Sequence, residues 1–208
     1  MGNAQWDWTG GLSTTLRYKM VTLSALFDIK VGADLYSVSE CSAYETGKAK
    51  ETLVGRAEWY ASEEARKAAG VTDINTWRKI GGDKVGGYLV DGVIDNGDGT
   101  YRENDIYVNP EDYWYELATN TPEPFIYDNS YIKCRELMLS LDFPKEWLDK
   151  KGIVKHVGIS FVARNPFIIW KNIKDIDPDA QYNTSGLGIE YGSLPSRRSY
   201  GLNFNIKF

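Results

Sequence analysis

The chain has 208 residues, with 24 Lys and Arg against 29 Asp and Glu and a formal net charge of -5. That balance argues against nucleic acid as a partner, because a phosphate backbone is met by a basic surface. No apolar run approaches the roughly 20 residues of a membrane helix, the longer ones resembling FIIW at 167–170.

The opening stretch, MGNAQWDWTGG, lacks a basic segment followed by an apolar core and does not read as a secretory leader. Trp6 stands where a myristoylation pattern needs Ser or Thr. Residues 9–19 then alternate, with Leu12, Thr14, Leu16 and Tyr18 on one side. Residues 21–32 alternate more clearly: Val21, Leu23, Ala25, Phe27, Ile29 and Val31 share a face against Thr22, Ser24, Leu26, Asp28 and Lys30. Only Met20 and its neighbours separate the two segments, which predicts a tight antiparallel hairpin.

Residues 33–129 are too long for a structureless loop. A short helix is expected over 58–70, with Glu63 four residues before Lys67 and Gly70 closing it. Asn-Gly and Asp-Gly signals predict a hairpin over 93–101. A second helix begins at 109, where Asn109 caps, Pro110 takes the first position, and Glu111 and Asp112 suit the positive end.

Alternation returns at 130–143, with Leu137, Leu139, Leu141 and Phe143 opposite Glu136, Ser140 and Asp142. PKEWLDKKG (144–152) is a single-turn link to a strand over 153–165, where Val157, Ile159, Phe161 and Ala163 oppose His156, Gly158, Ser160 and Arg164. A long connection, 166–196, leads to the final strand, 197–208. There Tyr200, Leu202, Phe204, Ile206 and Phe208 face one way, and Ser199, Gly201, Asn203, Asn205 and Lys207 the other.

Chemistry is sparse. The one histidine, His156, lies on a predicted strand with no nucleophile motif pointing to it, and no G-x-S-x-G elbow is present. GGDKVGG (81–87) lacks the strand–turn–helix context of a phosphate loop. In DGVIDNGDGT (91–100), Asp91, Asp95 and Asp98 miss the ligand spacing of a calcium loop, so a turn is the simpler reading. Cys41 and Cys134 read as free thiols, with one bridge as the alternative in an oxidising compartment. The chain is therefore read as a non-enzyme without cofactor or metal. Trp59, Tyr60, Trp77, Tyr113 and Trp114 either present flat faces to a ligand or partner, or build the core a long insertion requires.

The fold class is all-β. Soluble strands average about 5–6 residues, whereas these five run to about 10–13, close to the roughly 9–11 that cross a bilayer at a tilt. Short and long connections alternate, as in outer-membrane barrels. A soluble sandwich would also alternate, and a secreted carbohydrate-binding sandwich is the alternative. It leaves a long, flat terminal edge. A barrel puts the apolar face on lipid, the polar face on the lumen, and pairs its last strand with its first.

Several blocks carry a specific resemblance. GNAQWDWTGGLSTTLRYKMVTLSALFDIKVGADLYS (2–37), VNPEDYW (108–114), YDNSYIKCRELMLSLDFPKEWL (127–148), ISFVARNPFIIW (159–170), DIDPDA (175–180) and LPSRRSYGLNFNIKF (194–208) are similar, in order, to the C-terminal part of SusC/RagA-type TonB-dependent outer-membrane transporters. Ala4-Gln5-Trp6 replaces a Pro-containing turn, Cys134 an aliphatic residue, and Pro166 a common Leu.

The resemblance implies the last five strands of a barrel of about 22, with a plug, a TonB box, a leader and about seventeen further strands lying outside this chain. It implies the outer membrane of a Gram-negative, Bacteroidota-like cell, import of glycans or other nutrients, and a fragment unable to transport alone. Loops 33–129 and 166–196 would be extracellular. The implied partners are a SusD-like surface lipoprotein, the TonB complex through the missing N-terminal part, outer-membrane lipid, and the barrel-assembly machinery. Tyr200, Leu202, Phe204, Ile206 and Phe208 would form the lipid contact and assembly signal. The loop aromatics would be candidates for ligand or lipoprotein contact.

Overall fold

A computed structural model describes residues 2–147, 153–181 and 187–208. In chain order its regular elements are β1 (Trp8–Tyr18), β2 (Val21–Val31), β3 (Asp34–Ser37), α1 (Val38–Glu45), α2 (Arg56–Ala68), α3 (Ile74–Ile80), β4 (Tyr88–Leu89) and β5 (Val93–Asp95). They continue with β6 (Tyr101–Glu103), β7 (Tyr107–Val108), α4 (Pro110–Asn120), β8 (Ile126–Asp128), β9 (Tyr131–Asp142), β10 (His156–Lys171), β11 (Ile189–Glu190) and β12 (Ser199–Lys207). The chain divides into two compact units, Met1–Ser37 with Ile126–Phe208, and Val38–Phe125.

The first unit is built on a five-stranded antiparallel sheet ordered β1-β2-β9-β10-β12. Period-two patterning dictates its register. Leu16, Leu23, Leu139, Phe161 and Leu202 form one continuous cross-strand row, and Arg17, Thr22, Ser140, Ser160 and Asn203 form the next. A slip of one residue in any strand would exchange the two faces, so the pattern pins the pairing. The β1–β2 turn is tight, with Tyr18 opposite Val21 and Lys19 at φ 51. Trp8 lies opposite Val31, and Tyr131 lies opposite both Lys30 and Lys171, so both long connections leave from one end of the sheet. β1 and β12 are its two edges and do not pair. These five strands form an open sheet rather than a ring.

β10 differs most from expectation. It runs on to Lys171 instead of stopping at 165, straight through Pro166. The register shifts between Arg164 and Phe167, with Asn165 at φ 48, so Pro166 sits in a bulge where no ladder N–H is required of it. Of the predicted 144–152 link, Lys145–Trp147 form a short 3₁₀ turn, and 148–152 lie outside the described residues. The connections also yield a small second sheet, ordered β11-β3-β8, that alternation did not reveal. Its strands are of two to four residues, too short for a period to register. Inside it Ser37 Oγ donates to the buried Glu190 carboxylate at 2.9 Å.

The second unit is mainly helical. α4 starts as its sequence dictates: the Asn109 side chain accepts from Glu111 N, and Pro110 occupies the first turn. α2 begins at Arg56, two residues before its expected start, behind Gly55 at φ 79. A Cβ there would lie 2.4 Å from the Gly87 carbonyl oxygen, so only glycine allows that approach. The β5–β6 hairpin is closed by Asp95 and Asp98, whose carboxylates accept from Gly97 N and Thr100 N, as turn carboxylates do. α1 and α3 were not anticipated. The core is aromatic: Tyr44 and Phe125 meet at 5.4 Å, Tyr44 and Trp114 at 5.1 Å, and Tyr88 and Trp114 at 5.2 Å.

Candidate functional site: a two-faced sheet strapped on its polar side

The first face belongs to the apolar residues of the five long strands. Leu202, Phe204 and Ile206 are 66%, 64% and 52% exposed, and Tyr200 and Phe208 are likewise open. Tyr200 stacks on Phe161 at 6.1 Å with the rings 14° apart. Leu12, Leu16, Leu23 and Leu139 continue the exposed face across the sheet. Among the described residues no second layer covers this face, as a soluble sandwich would require. A stripe of this width left bare marks a surface meant for an apolar environment or partner.

The opposite face carries charge. Lys133, on β9, is only 2% exposed, yet its Nζ lies 2.6 Å from Asp179 Oδ2 and 3.4 Å from Asp177 Oδ1, and it also donates to Ser196 Oγ. Arg135 grips Asp179 with both ends of its fork, Nη1 to Oδ2 at 2.6 Å and Nη2 to Oδ1 at 2.8 Å. The same guanidinium reaches Asp28 on β2 at 2.5 Å. Tyr131 OH donates to Asp179 at 2.8 Å. Ser196 closes the ring of contacts by donating to Asp177 through its N–H at 2.8 Å and its hydroxyl at 2.5 Å. Lys30 adds a third cation, its Nζ 5.4 Å from the Trp6 ring centre and 5.9 Å from that of Tyr131. Three cations thus face three carboxylates, Asp28, Asp177 and Asp179.

The chemistry of this cluster is tethering. Asp177 and Asp179 come from the connection after β10, and Ser196 from just before β12, so both limbs of that connection are tied to β9. Bidentate Arg–carboxylate pairing fixes direction as well as distance. Burial by itself pushes both loop carboxyls up. Hydrogen bonds from Ser196 to Asp177, and from Arg135, Lys133 and Tyr131 to Asp179, outweigh it and hold both below the ordinary carboxylate range.

Strict alternation misses this cluster. Counting back by twos from Leu137 would put Arg135 among the leucines of the apolar face. The register shift between Leu26 and Phe27 instead pairs Leu26 with Glu136 and Phe27 with Cys134, leaving Arg135 as the extra, bulged residue beside Lys133. The available signal was the charge-rich YIKCRE in a strand and the three Asp of DIDPDA in the next connection, two of which join the cluster.

The aromatic candidates of the insertion do not share one fate. Trp77 is 4% exposed and its indole donates to Ser62 Oγ at 3.0 Å, so it is core. Tyr113 and Trp114 belong to the aromatic cluster with Tyr88. Trp59 and Tyr60 line an open pocket together with Trp114. His156 approaches Asp142 at 3.4 Å with no nucleophile beside it in the contacts described. Cys41 and Cys134 are both free, buried thiols. Among the described residues no group of three His, Cys, Asp or Glu is placed to hold a metal.

No family model matches the chain. It is 25% identical over 144 residues to TonB-dependent receptor P3 of Formosa agariphila, an alignment that covers 60% of this chain and 14% of that protein. Its backbone resembles the RagAB peptide importer in the "closed-closed" state, with a TM-score of 0.57 and 13% identity over 98% of this chain. A second structure, of the RagAB peptide transporter, gives a TM-score of 0.54 and 14% identity over 95%. Each of those matches spans 17% of the longer chain. At such identities the structural likeness speaks for fold. This chain therefore corresponds to a small part of the relatives it matches.

Proposed function

We propose that this chain, which resembles the TonB-dependent receptors in sequence and the RagAB importers in fold, forms five adjacent wall strands of an outer-membrane transport barrel. The single observation that carries the reading is the two-faced sheet, bare and apolar on one side, charged and hydrogen-bonded on the other. An 11-residue strand such as β1 is long enough, at about 3.3 Å per residue and a tilt near 45°, to traverse an apolar band about 25 Å tall. Exposed Trp8 and Trp170 lie toward the end from which the long connections leave, and exposed Tyr18 and Phe208 lie toward the other. Rings at both ends suit the two membrane interfaces.

In this reading the apolar face of β12, including Tyr200, Leu202, Phe204, Ile206 and the terminal Phe208, contacts lipid and is offered to the barrel-assembly machinery. The insertion and the β10–β12 connection stand on the extracellular side, where a SusD-like lipoprotein would meet them. The whole protein would admit glycans or other nutrients when a TonB complex acts on parts outside this chain, and these strands alone would not transport. Nitroxide labels at 161, 202 and 204, compared with 160, 203 and 205 in the membrane-inserted protein, test the central point. Alternating oxygen and aqueous-relaxant access along the strands supports it. Uniform aqueous access overturns it, and low access to both relaxants at 161, 202 and 204 overturns it in favour of a soluble sandwich.

A further inference from the structure

We propose that Asn96, at the tip of the exposed β5–β6 hairpin, is a self-modification site. Its side-chain amide is converted without an enzyme, through a cyclic imide, to a mixture of aspartate and isoaspartate. Asn96 is the only asparagine in the chain followed by glycine. The hairpin around it is short, with Val93 opposite Glu103, Ile94 opposite Arg102 and Asp95 opposite Tyr101.

The imide forms when the backbone nitrogen of the next residue reaches the asparagine Cγ. Glycine eases that approach, having no Cβ to crowd the nitrogen and a freely turning backbone. Gly97 stands at φ 81, and a Cβ there would meet nothing within 4 Å, so the tip is open. Residues 95–101 are all exposed, and so few contacts oppose the small opening that ring closure requires. A proton acceptor is already in place: Gly97 N donates to Asp95 Oδ1 at 2.7 Å, within the reach of a general base. Asn96 Nδ2, the leaving group, donates to Thr100 Oγ1 at 2.9 Å.

In the proposed step Asp95 takes the proton of Gly97 N as that nitrogen bonds to Asn96 Cγ. The Cγ–Nδ2 bond breaks, the proton passes to Nδ2, and ammonia leaves. Water then opens the five-membered imide. Attack at Cγ restores the original backbone with aspartate at position 96, and attack at the backbone carbonyl carbon gives isoaspartate. Nothing is oxidised or reduced, and water is the one co-reactant.

A second triplet of the same kind shows what the fold contributes. In Asp128-Asn129-Ser130 the Ser130 N–H donates to Asp128 Oδ1 at 2.8 Å, as Gly97 N does to Asp95. There, however, Asn129 and Ser130 are 0% and 2% exposed, and Asn129 Nδ2 is held by Pro178 O at 2.9 Å. The Asn129 N–H is likewise committed, to Ala33 O at 2.7 Å. That amide has neither room to turn nor water to open an imide. At 96 conversion adds a negative charge between Asp95 and Asp98, and isoaspartate lengthens the backbone beside the Asp95–Tyr101 pair. Both changes weaken the hairpin ladder.

The test ages the full 208-residue chain in detergent at mildly alkaline pH and maps its peptides by mass spectrometry, with isoaspartyl methyltransferase labelling to separate the two products. Conversion at Asn96 is expected to outpace that at every other asparagine, with Asn129 intact. Asp95→Asn keeps a side-chain oxygen for the Gly97 N–H but removes the base, and should slow the reaction about ten-fold, the low end for a general base. Gly97→Ala, which crowds the nitrogen, should slow it as well, and circular dichroism verifies that both variants keep their helices. Conversion at Asn96 no faster than at Asn129, or a rate unchanged in Asp95→Asn, would overturn the proposal.

Discussion

The strand unit and the insertion use the same kinds of side chain for opposite ends. In the insertion, Tyr44, Tyr88, Tyr113, Trp114 and Phe125 turn inward and supply the contacts that a short helical assembly needs. In the strand unit Tyr18, Phe161, Tyr200 and Phe204 turn outward, while its buried groups include Lys133, Asn129 and Ser130. An interior held by aromatic burial is what water selects. A unit with its grease outside and its charges inside inverts that arrangement, which is what the proposed lipid exterior would select. The lesson is that burial, not composition, separates the two regions: the aromatic residues are shared, and the side they turn to is not.

Substitutions that respect this contrast should have sharply unequal effects. The largest is expected in the insertion's core, where Trp77→Ala leaves a cavity and an unpaired Ser62. About 3–5 kcal/mol should be lost, read as melting of the helical signal with the strand signal retained. Next comes the strap. Asp179→Ala strands Lys133 and Arg135 without their shared carboxylate and should cost about 3–5 kcal/mol at most, read as faster tryptic cleavage at Lys171 and Lys174.

The two faces of β12 offer the sharpest single contrast. Leu202→Arg should cost about 2–4 kcal/mol in a bilayer if it lies near the midplane, and Asn203→Arg, one residue away, well under half as much. Folding titrations of the membrane-inserted protein measure both, and equal costs would erase the distinction between the faces. The smallest effect is that of mild acid on the strap. Because Asp177 and Asp179 titrate below their ordinary range, their contribution is fully present above the unfolded carboxylate value of about 3.9. It is lost only as pH falls through the lower folded values. Hydrogen exchange over 171–179, corrected for its intrinsic pH dependence, should therefore stay flat from pH 8 to pH 5 and rise only in stronger acid.

Legibility differed by element for physical reasons. Long strands with one apolar face, such as 21–32 and 197–208, announce themselves because five or six alternations cannot arise from a helix. Asn109-Pro110 was equally readable, since a cap and its first-turn proline are local chemistry. The continuation of β10 through Pro166 was not, because a bulge within β10 itself removes the objection to proline. α1 and α3 carry too few apolar repeats for their period to show, and the tiny strands β3, β8 and β11 exist only through one another. Of the aromatic candidates, Trp77 could not be told from Trp59 before their burial was known.

The order of residues along the chain was sufficient to determine where the long strands run, which of their faces is apolar, which links are short, and where α4 begins, since each depends on neighbours within a few positions. Tertiary structure alone decided that Arg135 joins Lys133 on the polar face and that Asp177, Asp179 and Ser196 converge on them. It likewise decided which aromatic rings are core and which line a pocket. Those outcomes depend on register shifts and on contacts between residues far apart in sequence, where period carries no information and the cost of leaving a charge or an indole unpaired settles the arrangement.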